Sequence, residues 1–401
     1  MNRFHINKHG VPAPCKAKQG NCPFGGDDQH FLSQEAAQAH ADQINAQEFG
    51  VLPDVNDPFS KDNIRKQFPE ASEKQIAQIK DYCLQEERIR DIVENLKNNK
   101  NKGEDEYFNQ VQEVRKLALT KYESYNNIKQ FTDDGKLAEL LSEKIPEPEP
   151  WKRGPNYNFH PEIEDKNFHY GIGPVISAYT GKPKNQIRQE IQEIMNDKNI
   201  SLHEATKEYW RTAKQRTDKP IISLDLETAN PRDKSLTYDN GQLTYIIELG
   251  AIKTYPDGTT ETLDIQYGIP EAFEKRHGTG FQETHNISPD DIRGLEEFTD
   301  NQENQKKILN FLDNSVIIAH NAYFENKQLT NSLKGFRKKV DEGNIEMLDT
   351  MNFCKFLVPE AERNTNEAFV KAADMKYEGA HRAFQDATMT LNAFNKLKNN
   401  R

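Results

Sequence analysis

From Pro220 onward the chain reads as alternating strands and helices, and this stretch constrains the fold most. IISLDL (Ile221 to Leu226), LTYIIELGAIKTY (Leu243 to Tyr255) and TTETLDIQYGI (Thr259 to Ile269) are strand-like runs. Pro256-Asp257-Gly258 between the last two is a strong hairpin signal. A helical pattern (Asn304 to Leu312) then leads to a fourth strand, SVIIAH, and a helix from about Ala322 to Leu333. A fifth strand, IEMLDT, and a helical C-terminus follow. Three antiparallel strands followed by strand, helix, strand, helix predict an α/β fold with a mixed five-stranded sheet and flanking helices.

The remainder is different in kind. Only 35% of the 401 residues are hydrophobic, well below the roughly 45% of ordinary globular chains with glycine included, so part of the chain is expected to build no core. We divide it into a small module rich in Cys, His, Gly and Pro at 1–58, a charged helical region at 59–145, a linker with a short helical region at 146–218, and the α/β domain at 219–401. In the first module Ser33 is a plausible N-cap for a helix over Glu35 to Ala46. The second carries Ile64, Phe68, Ile76, Ile79, Leu84, Ile89, Ile92 and Leu96 at helical spacing among Lys, Glu, Gln and Asn. Its low apolar content predicts an extended or loosely packed region, either a partner-binding arm or a solvated spacer, and the charge pattern favours the spacer. IPEPEPW (Ile145 to Trp151) has proline at every second position and marks the clearest linker. Ser201 with Glu204 three residues on predicts a capped helix over Ser201 to Lys214.

Formal net charge is -11, which argues against a protein that coats phosphate backbones with Lys and Arg. It does not argue against an enzyme that touches phosphate through metal. The longest purely aliphatic stretch, Val316 to Ala319, is far too short to span a bilayer. MNRFHINKHG lacks the apolar core of a secretory signal, so a cytoplasmic location is the expectation. Cys15, Cys22, Cys83 and Cys354 are too few for a disulfide scaffold. His5, His9, Cys15, Cys22 and His30 are zinc-capable types, but six residues separate the two cysteines, outside the common spacing, and free thiols are favoured over zinc in this module.

Asp225 and Glu227 lie two apart on the first strand, so both side chains leave the same face. Two acids on one face beside an apolar run are costly unless they hold a cation. Three further segments follow in order: AHNAYFEN (Ala319 to Asn326), LDTM (Leu348 to Met351) and HRAFQDA (His381 to Ala387). SLDLET, AHNAYFE and the His-x4-Asp pair resemble the DnaQ-like 3′ to 5′ exonuclease family of the DEDDh subtype, the proofreading epsilon-subunit type, on a ribonuclease H-like fold. The resemblance covers about Pro220 to Leu397.

That resemblance implies that Asp225, Glu227 and Asp386 ligate two divalent ions, Mg²⁺ or Mn²⁺. The remaining family carboxylate falls on Glu325, where the family has Asp; the extra methylene lets it reach further, and in the family this ligand often acts through water. His381 would be the general base, since an imidazole accepts protons near neutral pH. Thr228, Ile287 in THNIS (Thr284 to Ser288) and Asn321 are the implied substrate contacts, with Asn286 replacing a family glycine in a left-handed turn. Turn and core roles for these three weigh equally. Lys334, Arg337, Lys338 and Lys339 either track a nucleic-acid strand or end a helix in solvent. The implied activity is metal-dependent hydrolysis of phosphodiester bonds at nucleic-acid 3′ ends, DNA ahead of RNA, in repair or replication, with a polymerase or other replication partner left open. A catalytically weakened nucleic-acid-binding or proofreading-accessory module is the alternative that Glu325 raises.

Overall fold

The structure is a computed structural model that describes residues 57–98, 103–142, 168–230, 243–280, 282–357, 365–377 and 381–400, and the backbone of two short strands near the N-terminus. The helix expected after Ser33, the side chains of His5, His9, Cys15, Cys22 and His30, and the linker Ile145 to Trp151 lie outside the described residues.

The chain divides into two compact units, Met1–Ser72 and Glu73–Arg401. In the first, β1 (Phe4–Ile6) pairs antiparallel with β2 (Pro12–Pro14), and α1 (Lys61–Gln67) is capped by the Ser60 hydroxyl, which accepts from the Asn63 amide. The second unit begins with the helices α2 (Glu73–Asn98), α3 (Glu104–Ile128) and α4 (Asp134–Ser142). After a π-helical turn come α5 (Gly173–Thr180), α6 (Lys184–Lys198) and α7 (Leu202–Thr212). Ser201 and Glu204 form the expected capping box on α7.

The sheet follows: β3 (Ile221–Ala229), β4 (Tyr245–Thr254), β5 (Thr260–Gln266), then α8 (Glu271–His277), α9 (Gln302–Leu312), β6 (Ser315–Ala319), α10 (Ala322–Ser332), β7 (Ile345–Asp349), α11 (Thr350–Leu357), α12 (Asn366–Ala372) and α13 (Ala383–Asn400). Strand order is β5-β4-β3-β6-β7. The β5-β4-β3 meander is antiparallel, and β6 and β7 add in parallel. This is the mixed five-stranded sheet that the strand pattern predicts. The hairpin at Pro256-Asp257-Gly258 closes with Asp257 accepting from the Thr259 amide at 2.9 Å and Gly258 at φ 86°.

The central strand is covered on both faces, which is why IISLDL is nearly all apolar. Leu224, Leu226 and Ile317 pack with Ile308, Leu312 and Leu329 of α9 and α10. Ile221, Val316 and Ile318 pack on the other side with Trp210, Phe353, Phe369 and Phe394.

The 73–128 region is neither extended nor a solvated spacer. Ile89, Val93, Leu96, Val111, Val114, Ala118 and Tyr122 of α2 and α3 form one apolar layer with Ala229, Leu243, Tyr245, Ile247, Phe273, Ile287 and Ile292 of the α/β part. The reason for the difference is that spacings of three and four produce a narrow apolar stripe, and charged side chains that would be expected in solvent are paired inside. Glu86 is fully buried, accepting from Lys121 Nζ at 2.6 Å and Arg90 Nε at 2.8 Å. Average composition conceals such a stripe. No helix among the described residues is long and apolar enough to cross a membrane.

Candidate metal centre

Asp225 and Glu227 leave the same face of β3, as their spacing requires, and Asp386 reaches them from the first turn of α13. Each offers a carboxylate oxygen within 4.8 Å of the others. Three elements bring the helix start to the strand. Gly250 on β4 is paired with Asp225, and a Cβ there would meet the Phe384 amide nitrogen at 2.1 Å, so only glycine lets α13 approach this closely. Glu248, paired with Glu227 and 1% exposed, accepts from the Ala383 amide at 2.8 Å and from Arg382 Nε at 2.9 and 3.2 Å, with a further bond from Arg382 Nη2. Asp386 accepts from the His381 amide at 2.8 Å and from the Tyr377 hydroxyl at 3.0 Å. His381 stands at φ 70°, an uncommon conformation for a side-chain-bearing residue, held by that amide bond; its side chain is exposed.

Electrostatics make this cluster expensive without a cation. Burial first, then Glu325, Glu227, Asp386 and Glu248, hold Asp225 well above the ordinary aspartate range. Burial, Asp386 and Glu248 push Glu227 up to about 8, against the pull of Arg382. Asp386 is raised by burial despite its two hydrogen bonds. Glu325, 3% exposed on α10, is also raised well above its usual value, by burial and by the charges of Asp349 and Glu227, and its Oε2 has no hydrogen-bond partner. It stands outside the group of three while acting on Asp225 electrostatically. An all-oxygen donor set, one orphaned carboxylate oxygen and acids whose ionisation is opposed by burial and by one another fit a hard divalent cation.

The other expected residues separate. Thr228 lies just past a register shift in the β3–β4 ladder, and its hydroxyl accepts from Asn230 Nδ2 at 3.1 Å. Asn321 caps α10 in a left-handed conformation, φ 74°, with its amide donating to Asp349 at 3.1 Å. Asn286 takes the left-handed turn expected of it, φ 55°. Ile287 does not face the site: it is 1% exposed inside the apolar layer beneath α3. The turn holding it is tied by His285, which accepts from the Ile287 amide and donates through Nε2 to the Thr279 carbonyl, both at 3.1 Å. An apolar residue in a turn can serve as ligand platform or as anchor, and here the helices beneath it make it an anchor. Lys334, Arg337, Lys338 and Lys339 each sit beside an acid, Asp105, Asp341, Glu342 and Asp313; Lys334 lies in the connection after α10 and the other three inside a short helix, Phe336–Asp341.

Glu248, Gly250, Tyr377, Asp349 and Arg382 escape the sequence argument as site residues. The signal was present in ELG, a lone acid and a lone glycine inside an apolar strand. Glu248→Gln should cost about 1.5 to 3 kcal/mol, the usual worth of a charged hydrogen bond, read as a lower urea midpoint. An unchanged midpoint would show that α13 is held without it.

No curated protein sequence matches this chain. Among solved structures, E. coli exonuclease I with single-stranded DNA, in a zinc-ion-bound form, is 16% identical with a TM-score of 0.34, over 45% of this chain and 40% of that one. A second exonuclease I structure, described as suggesting how processivity is achieved, is 17% identical with a TM-score of 0.33 over 46% and 41%. A 3′-exonuclease bound to a histone mRNA stem-loop is 13% identical, TM-score 0.33, over 53% and 80%. The chain thus spans about two fifths of the exonuclease I structures. Residues 222–394, less than half of the chain, match the family model described as exonuclease.

Proposed function

We propose that the chain is a metal-dependent 3′ to 5′ exonuclease acting on DNA ends, of the proofreading type that its motif order resembles. The observation that carries this reading is the convergence of Asp225, Glu227 and Asp386 within 4.8 Å inside the exonuclease match. These three would hold divalent ions, Mg²⁺ or Mn²⁺, with Glu325 close behind. Such ions neutralise charge on the scissile phosphate and on the leaving oxygen.

The chain's own residues do the rest. The four carboxylates are too costly to ionise together in a buried cup, so the cup attracts phosphate only as a charge-balanced assembly. His381, five residues before Asp386 and bonded to it through its amide, is the group to take a proton from attacking water. Thr228, directly after Glu227, and Asn321, at the start of the helix that carries Glu325, are placed to touch the terminal nucleotide. A location in the cytoplasm and service to a replication partner are the accompanying expectations.

The test is stepwise shortening of 5′-labelled DNA and RNA oligonucleotides with Mg²⁺ or Mn²⁺. Glu325→Gln should lose about tenfold, within the 10- to 100-fold range of residues that support a metal site from behind. Asp225→Ala should lose far more. Faster shortening of RNA would reassign the substrate, and a wild-type chain that binds both strands and shortens neither would be the weakened binding module.

A further inference from the structure

The exonuclease match begins at residue 222, yet the residue next to the metal centre is tied to a helix far upstream. Arg115 on α3 is 4% exposed and donates through Nη2 to the Thr244 carbonyl at 2.8 Å and to the Ser332 hydroxyl at 2.9 Å. Thr244, fully buried just before β4, donates its own hydroxyl to Asn230 Oδ1 at 2.7 Å. Asn230 Nδ2 then donates to the Thr228 hydroxyl at 3.1 Å. The route runs from α3 through one backbone carbonyl and two side chains to the residue after Glu227.

Both ends of the route are fixed. Arg115 lies over the Tyr245 ring at 5.4 Å, and Tyr245 pairs with Ala229, one residue from Thr228. Gly280 packs so closely on the Asn230 backbone that a Cβ there would meet its carbonyl oxygen at 2.5 Å and its amide nitrogen at 2.6 Å. Ser332 ends α10, the helix that carries Glu325 in its first turn, so one guanidinium ties the start of β4 to the far end of that helix. Tyr107 and Gln112, also on α3, bond to Asn331 at 2.9 and 3.3 Å and hold the same helix end.

We propose that Arg115 is a positioning residue: acting through Thr244 and Asn230, it orients the Thr228 hydroxyl that receives the terminal nucleotide, so the 104–128 helix is part of the substrate site. This rests on the reading of Thr228 as a substrate contact. Nothing in the route touches Asp225, Glu227 or Asp386, so it should govern substrate affinity and leave metal affinity alone.

The experiment uses the full chain with Arg115→Gln, Thr244→Val, Thr244→Ser and the Arg115→Gln/Thr244→Val double variant. Losing one hydrogen bond from the route should raise KM for a single-stranded oligonucleotide about tenfold, with kcat and Mn²⁺ affinity within about twofold of wild type. Thr244→Ser keeps the hydroxyl and should restore KM, and the double variant should be no worse than the poorer single one, since both break the same route. Should Arg115→Gln fail to fold, the Thr244 pair decides. Wild-type KM in Thr244→Val, equal impairment of Val and Ser variants, or Mn²⁺ affinity falling with KM would each overturn the proposal. The same variants are compared by anisotropy of a 5′-fluorescein oligonucleotide with Ca²⁺, an oxygen-seeking cation that balances the carboxylates. A wild type that binds but never cuts would remove the exonuclease reading, while the order of affinities would still decide the route.

Discussion

Asp225→Asn should abolish strand shortening and at the same time raise the melting temperature of the metal-free protein. The two halves have one cause. Asp225 sits among Glu325, Glu227, Asp386 and Glu248, and both burial and these neighbours oppose its charge. An amide of the same shape needs no proton and repels no carboxylate, so the folded state gains wherever the acid would have been ionised. At about pH 8 a gain of roughly 1 to 2 °C is expected, what about 1 kcal/mol is worth in a unit of this size. The loss of activity is larger. Groups that merely support a metal site are worth about 10- to 100-fold, and Asp225 lies within the carboxylate group itself, so the rate should fall by more than about 100-fold. A variant that still shortens DNA at the wild-type rate, or that melts lower in EDTA, would show that the cluster is neither the catalytic centre nor strained by its charge. Sites that trade stability for function commonly show this opposition.

The second large effect is on pH. Glu227 is pushed up to about 8 in the folded chain, against an ordinary value of 4.5, and Asp225, Glu325 and Asp386 are raised as well. Between those limits the folded state holds more protons than the unfolded one, so stability in EDTA falls as pH rises. His203 works oppositely, its value lowered from 6.5 by burial, but that contribution is complete once the unfolded imidazole has lost its proton. From about pH 6.5 to 8 the carboxylates therefore set the trend. Melting temperature in EDTA should drop by about 2 °C or more over that span. With Mn²⁺ the decline should shrink to the share of Glu297, which burial and Asp300 push up to about 7 outside the cluster, because the cation takes the place of the other protons, and the metal-induced rise should be greater at pH 8 than at 6.5. Scanning calorimetry at several pH values checks this; a flat profile in EDTA would mean that the carboxylates ionise freely and the cup is open to water.

Legibility from sequence followed the range of the interactions. Asp225 and Glu227 could be placed together because a strand's period of two is local, and the hairpin at Gly258 because turn chemistry is local too. Asp386 is more than 150 residues from Asp225, and nothing in spacing joins them; only resemblance did. What brings them together physically is the missing side chain at Gly250 and the buried charge of Glu248, and a single acid in a strand reads as an outward-facing residue until its partner is known. The α2–α3 layer was missed for the same reason. Its stripe from Ile89 to Tyr122 is thin, and its buried ions, Glu86 with Lys121 and Arg115 with the Thr244 carbonyl, carry the composition of a solvated helix. Ile287 was read from its neighbours in sequence, whereas its environment comes from α3.

The layer beneath α3 also bears on where the chain can be cut. A fragment begun at Lys219, where the strand pattern starts, would leave Leu243, Tyr245, Ile247, Phe273 and Ile292 uncovered along one side. Such a contiguous greasy surface recruits other copies of itself and drives precipitation. The smallest piece fit for expression or for fusion to another protein is therefore the whole of Glu73–Arg401, and grafting the five-stranded sheet into a new host would mean carrying its helical cover along.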